Sequence, residues 1–431
     1  MLDVHKKPVN IFIAEWVPSL NKGELAILVG IIRTFEILGP VRVSVLSFYP
    51  EIDRVRYPDG IEVVDAEKDL FIGKRFPEKS LISRFLLSLF VGFQHLLFVL
   101  TFSLFREKIR GIWREYIDAD IIIVGHDQID CAMGFYLLFH PVVITLINKV
   151  IHKKVVIYGN GSSSSRFSNI LLPFVLLNAD LITTREESTY NFYKKIVSGR
   201  VPLFLTADPA ILVKPSEADR VNSIMNKENI IKGRGPLIGM ALSHQVLKHS
   251  VSNSLDCEAR YSQRTKLLSE LIDYLIDNFD ASIVFLPHCI EPYRNLDDRV
   301  VAEDIYNLVK NKQRLYRINN EYSPQELKGL VGQFDIVIST RVHALVNTAS
   351  MCVPFICLKC AHDERVQGIL GTMFGQGDWI LNVDNLKFEE LCQKTATLLS
   401  LKDKVRKDLA LKLVTLEKKA MLNGKLLNLM R

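Results

Sequence analysis

The sequence predicts an α/β protein of two Rossmann-like domains facing a cleft, with an apolar helical insertion in the N-terminal domain. At 431 residues the chain is too long for one core and suits two domains of ordinary size. Strand-like apolar runs alternate with helical stretches almost throughout, which is the pattern of doubly wound α/β folds. A charged, weakly apolar stretch at 214–234 separates two such series and reads as a linker.

In the first series, 11–14 is a strand, Asn21-Lys22-Gly23-Glu24 a turn, and 25–38 an amphipathic helix stopped by Gly39-Pro40. Strands follow at 41–48, 61–64, 120–124, 154–158, 181–184 and 203–206, giving a first domain over 1–213. The second series has strands at 237–241, 282–286, near Leu315, 336–339 and 355–358, within a domain over 235–400. The lysine-rich stretch 401–431 reads as a C-terminal packing or strapping helix.

One segment departs from this alternation. Residues 85–105 carry no formal charge and are long enough to span a bilayer. Lys74, Arg75, Lys79 and Arg84 precede them, and Arg106, Lys108, Arg110 and Arg114 follow. A spanning helix would put strands of one sheet on opposite sides of a membrane, and basic flanks on both sides give no inside–outside asymmetry. The expectation is an interfacial helix, or a helical hairpin, meeting a membrane surface; a core helix covered by protein is the alternative.

Composition narrows the function classes. Hydrophobic content of 48% and charged content of 24% are globular values. A net charge of +6 with only 9% aromatics argues against a nucleic-acid partner and suits an anionic small molecule or an acidic membrane face. Seven cysteines, an odd number, indicate reduced thiols in a cytoplasmic protein. Cys357-Leu-Lys-Cys360 follows a strand and has no second pair, so it reads as structural, and no metal site is expected. The opening residues 1–10 are polar, and no secretory leader is expected there.

The chemistry-bearing residues sit at strand ends. Ile338-Ser-Thr-Arg341-Val-His343-Ala344 runs from a core strand into a helix and presents an arginine and a histidine at the edge where open α/β sheets bind ligands. A permanently charged fork beside a group titrating near neutrality suits an anionic substrate undergoing proton transfer; a carboxylate-paired arginine and a capped histidine are the bland alternative. Leu286-Pro-His288 ends another strand with a histidine, ahead of Asp297 and Asp298, and Arg365 adds a cation to the same half. Arg341, His343, His288 and Arg365 would together make an electropositive pocket. Thr184-Arg185-Glu186-Glu187-Ser188 repeats the strand-end arginine in the first half. Asp208-Pro209 forms a turn, and Glu24 either accepts from sugar hydroxyls or stabilises a helix start. The loop Gly159-Asn-Gly161 with its serine run is either a ligand contact or plain surface. Ser323-Pro-Gln-Glu326 is a capping-box helix start.

Taken in order, Asn21-Lys-Gly23-Glu24, Asp120-Ile-Ile-Ile-Val-Gly125, Arg185-Glu186-Glu-Ser188, Leu205-Thr-Ala-Asp208-Pro209-Ala210, Leu286-Pro-His288, Ser323-Pro324, Arg341-Val-His343-Ala344, Val353-Pro354 and Arg365-Val-Gln-Gly368-Ile resemble the polysaccharide pyruvyl transferase family over most of the chain. The resemblance implies a glycosyltransferase-B-like fold. It implies transfer of the enolpyruvyl or pyruvyl unit of phosphoenolpyruvate onto hydroxyls of a polysaccharide or lipid-linked glycan precursor, with no cofactor. It also implies donor-handling roles for Arg185, Arg341 and His343. The chain has Glu24 where the family commonly has Asp, Gly125-His126-Asp127 where a glycine pair is usual, and Arg365 where lysine is frequent. On this reading His343 and Arg341 are catalytic. Arg185, His288, Arg365, Asn21, Gly23, Glu24, Asp208, Asp127 and Gly161 would contact substrates. Rival readings are a glycosyltransferase using a nucleotide sugar and a non-catalytic membrane-associated binding protein.

Overall fold

The computed structural model describes residues 7–70, 81–105, 109–127, 135–161, 168–248, 256–360 and 363–430. The serine run 162–165 and the basic residues Lys74, Arg75, Lys79, Arg106 and Lys108 lie outside them. Two compact units emerge: residues 1–19, 27–209 and 418–431 form one, and residues 20–26 with 210–417 form the other.

The first unit is built on β1 (Val9–Trp16), β2 (Val41–Ser47), β3 (Ile61–Asp65), β4 (Ile121–Val124), β5 (Lys154–Asn160), β6 (Leu181–Thr184) and β7 (Leu203–Leu205). All pair in parallel, in the order β3-β2-β1-β4-β5-β6-β7. The Ile-Ile-Ile-Val run of β4 is buried throughout, as expected of a central strand with both faces covered. Strand order reverses between β1 and β4, which makes their carboxyl ends the switch point where such sheets bind ligands. Phe12, Tyr116, Ile122, Ile157 and Tyr193 belong to the core of this unit.

The apolar insertion is a continuous helix, Leu81–Phe105, so the hairpin alternative does not apply. No helix among the described residues is long and apolar enough to cross a membrane. Val91, His95 and Phe98 are buried on one face, with Val91 and Phe98 in the core of the unit. His95 is fully buried: Nδ1 lies 2.7 Å from the Val91 carbonyl oxygen and Nε2 3.2 Å from the Tyr116 hydroxyl. Its ring meets Trp113 edge-on at 5.0 Å. His95, one of the polar residues of this segment, therefore turns into the protein.

The C-terminal helix begins earlier than expected and runs unbroken over Phe388–Leu429. Ala420, Asn423 and Leu427 are fully buried in the first unit. The Asn423 Nδ2 donates to the Ala207 carbonyl at 3.3 Å, and its Oδ1 accepts from the Thr206 hydroxyl at 3.0 Å. At Gly424 a Cβ would stand 2.1 Å from the Thr34 carbonyl oxygen, so only glycine permits this approach.

The second unit contains β8 (Leu237–Ala241), β9 (Ser282–Phe285), β10 (Leu315–Arg317), β11 (Ile336–Ser339), β12 (Phe355–Lys359) and β13 (Ile380–Asn382), parallel in the order β10-β9-β8-β11-β12-β13. Its switch point lies between β8 and β11. The short edge strand β13 was not anticipated. The stretch 214–234 is no free tether: its helix Ala218–Lys227 buries Val221 and Ile224, and the Val221 side chain meets Gly329. The helix Pro324–Val331 starts with the expected capping box, Ser323 Oγ accepting from Glu326 and Glu326 accepting from the Ser323 N–H. Cys357 and Cys360 are buried free thiols, and burial pushes Cys360 up to about 11.

Candidate functional site

The site residues expected from the sequence fall into two clusters, one in each unit. In the second unit, residues 20–26 lie against the loop after β9. Asn21 forms an antiparallel bridge with Cys289, the Lys22 N–H donates to the His288 carbonyl at 2.7 Å, and the Ile290 N–H donates to the Leu20 carbonyl at 3.1 Å. Asn21 Oδ1 accepts from the Gly23 N–H at 3.0 Å, satisfying one of the open donors at the start of the helix Lys22–Phe35. A Cβ at Gly23 would sit 2.7 Å from the Cβ of His343 and 2.9 Å from its Nδ1. The imidazole thus rests directly on the first turn of that helix, and glycine is what lets it. Glu24 occupies the same turn, half-buried.

Arg341 follows β11 at the switch point, and His343 lies in the first turn of the helix Val342–Ser350. Ser339 Oγ accepts from the Arg341 N–H at 2.9 Å and so fixes the turn. The guanidinium gives Nη2 at 2.5 Å and Nε at 3.2 Å to Asp298 Oδ1. The other oxygen of Asp298 accepts the N–H groups of His288 at 3.0 Å and Cys289 at 2.9 Å. This buried carboxylate therefore joins the His288 loop to the Arg341 turn. Burial pushes the Asp298 carboxyl up, outweighing the pull of Arg341 and the two backbone donors. Burial also acts to lower Arg341, but its ion pair with Asp298 prevails and holds it above the ordinary value.

His288 is 2% exposed, and its Nε2 has no hydrogen-bond partner among the described residues. Its Nδ1 lies 3.2 Å from the Leu286 carbonyl, which makes Nδ1 the donor and leaves Nε2 with a lone pair. Burial, aided by Arg341 and His343, pushes it down to about 4, so the ring is neutral at pH 7. The cluster combines a cationic fork, a neutral histidine acceptor and a second histidine on a helix start. Arg365 has another commitment: it pairs through Nε and Nη2 with the two oxygens of Asp363 at 3.1 and 3.2 Å.

The first-unit cluster gathers three carboxylates around one arginine. Arg185, just past β6, is 1% exposed and contacts Asp127, with Asp208 at 3.2 Å and Glu186 at 3.7 Å. Burial acts to lower this arginine, and the three carboxylates more than reverse it, so it stays charged. Among the described residues Arg185 is a hub that joins the ends of β4 and β6 to the Asp208 turn. Gly161 donates its N–H to the Asp127 carbonyl at 2.7 Å, and a Cβ there would lie 2.9 Å from Glu186 Oε1. Beside this cluster, Glu15 Oε1 accepts the His126 N–H at 2.7 Å and pairs with its ring. Burial acts to raise Glu15, and His126 outweighs it, leaving the carboxyl below its ordinary value.

Asp298 and Lys22 were not anticipated as site residues. Asp298 reads in sequence as a helix-start acid. Lys22, 2% exposed and paired with Glu321 at 2.5 Å, carries no local signal at all. Among the described residues no three His, Cys, Asp or Glu side chains are grouped to hold a metal.

No curated protein matches the chain significantly. Among solved structures, the chain is similar to UDP-GlcNAc 2-epimerase from Neisseria meningitidis bound to UDP-GlcNAc, at 12% identity over 98% of this chain and 100% of that one, with a TM-score of 0.57. It is also similar to UDP-GlcNAc 2-epimerase from Methanocaldococcus jannaschii, at 14% identity over 91% and 93% of the two chains and a TM-score of 0.58. A UDP-forming α,α-trehalose-phosphate synthase from Burkholderia xenovorans matches at 10% identity over 99% of each chain, with a TM-score of 0.54. At such identities these likenesses speak for the fold, which is glycosyltransferase-B-like with two parallel-sheet Rossmann-like domains. The polysaccharide pyruvyl transferase model matches residues 21–362. The matched span opens at Asn21 and takes in the strand-end residues of both sheets, so the chain belongs to the polysaccharide pyruvyl transferase family and is a transferase.

Proposed function

We propose that this chain takes the pyruvyl unit of phosphoenolpyruvate and closes it as a ketal across two hydroxyls of a polysaccharide or lipid-linked glycan precursor. The observation that carries this reading is the convergence of Arg341, His288 and His343 on the Asp298 and Gly23 framework at the second sheet's carboxyl edge. Phosphoenolpyruvate presents a carboxylate and a phosphate, and a guanidinium fork binds such groups in two-point fashion. Asp298 engages the Nε–Nη2 edge of Arg341, and the opposite edge of the fork is the proposed donor contact.

The reaction balances without an oxidant or metal. One acceptor hydroxyl adds to C2 of phosphoenolpyruvate while C3 gains a proton and becomes a methyl group. A second hydroxyl then displaces phosphate from C2, its proton leaving with the phosphate. His343 is the proposed proton carrier, and the Nε2 lone pair of neutral His288 suits a hydrogen bond from an acceptor hydroxyl. Asn21 and Glu24, in the same unit as His343, are proposed to address the acceptor. Phosphoenolpyruvate as donor places the reaction in the cytoplasm.

The test is phosphate release from labelled phosphoenolpyruvate in the presence of a membrane and glycan extract. His343→Ala is expected to lower the rate by ~10² to 10⁴-fold with the thermal midpoint unchanged. Undiminished turnover would remove the assigned role. Thermal stabilisation by a nucleotide diphosphate and none by phosphoenolpyruvate would favour a nucleotide-sugar glycosyltransferase instead.

A further inference from the structure

We infer that the outer face of the Leu81–Phe105 helix docks the protein onto an anionic lipid surface. The helix is inside-out. His95 is fully buried, and Val91 and Phe98 accompany it on the inward face. Leu86, Leu89, Phe90, Phe93, Leu96, Leu97 and Leu100 form the outward face, each between 41% and 66% exposed. Their spacing of three and four residues gives a single stripe along several turns. The stripe offers on the order of 600 Å² of apolar surface, at or beyond the largest patch a typical monomer exposes. The two helices packed next in line also expose apolar residues, Leu146 and Val150 on Phe135–Val150 and Phe174 on Ser168–Asn178.

Charge selects the occupant. In the sequence, residues 74–84 hold four Lys or Arg against the single acid Glu78, and residues 106–114 hold four against Glu107. An apolar segment bracketed in sequence by cations matches an anionic headgroup layer, where each basic residue near the surface adds attraction. The inference does not depend on the transfer chemistry, and its test uses no transfer assay.

The full-length chain is mixed with vesicles of phosphatidylcholine alone or of phosphatidylcholine with phosphatidylglycerol, and the bound fraction is measured by flotation. Binding to the phosphatidylglycerol vesicles is expected, weakening with salt. The double variant Phe93→Glu/Leu97→Glu is expected to lower binding by roughly tenfold or more while circular dichroism and thermal midpoint stay unchanged. Leu411→Glu, at a 76% exposed position on the Phe388–Leu429 helix, is expected to bind as the parent chain does. If the double variant does not fold, Leu100→Glu, 66% exposed, takes its place. Failure of the parent chain to bind either vesicle, or equal binding by the variant, overturns the inference. So does a dimer that the variant splits into monomers with no vesicle binding in either form.

Discussion

Arg341 and Arg185 occupy the same kind of place, the first turn beyond a buried parallel strand, yet they differ in burial and in the carboxylates they meet. Arg341 is about one-fifth exposed, answers to one carboxylate and stands beside two histidines. Arg185 is 1% exposed and answers to three carboxylates. A strand-end arginine in sequence therefore signals a charged cluster at the ligand edge, but not how many carboxylates hold it. The carboxylates that decide it come from distant positions: Asp127 and Asp208 for one arginine, Asp298 for the other.

The strongest way to break this contrast is to remove Arg185. Arg185→Ala removes the cation that Asp127, Glu186 and Asp208 share and is expected to cost ~3–5 kcal/mol in urea unfolding. Adding Asp208→Asn should restore part of that loss. A cost under ~1 kcal/mol would show that the hub holds nothing together.

His288 sharpens the other side. Its folded value of about 4 lies below the ordinary 6.5, so between those limits the unfolded chain binds a proton that the folded chain refuses. Stability should therefore rise with pH through that window, by up to ~3 kcal/mol from this group, and His288→Gln should flatten the slope. A slope unchanged by the substitution would place the proton elsewhere.

Gly23→Ala should destabilise by ~1–3 kcal/mol, because its Cβ has no room beside His343, and should slow phosphate release along with it. Unfolding midpoints and initial rates on the same preparation check both. At the small end, Arg365→Ala removes a partly exposed pair with Asp363 and should change stability by less than ~1 kcal/mol. A large loss of transfer activity from that substitution would return Arg365 to the site.

Much of this architecture was readable because parallel strands are continuous apolar runs; β4, β6, β8 and β11 stand close to where 120–124, 181–184, 237–241 and 336–339 were expected. Arg341, His343 and His288 were legible as strand-end ionisable groups. That Asn21 and Gly23 lie with them, rather than with the helix body that follows, depends on backbone bonds to 288–290, which no local pattern encodes. Asp298 was hidden for a similar reason: its local role as a helix-start acid is real, and the bonds to Arg341 are long-range. In the 85–105 segment hydropathy gave the apolar content, but the direction of His95 was set by Trp113 and Tyr116.

Ala420, Asn423 and Leu427 are buried in the first unit, with Asn423 tied to the Thr206-Ala207 turn and Gly424 set against Thr34. Protein synthesis runs from the N terminus, and domains ordinarily fold as they leave the ribosome. Here the domain that emerges first cannot be completed until Ala420, Asn423 and Leu427 have been translated, after the whole of the second domain has been made.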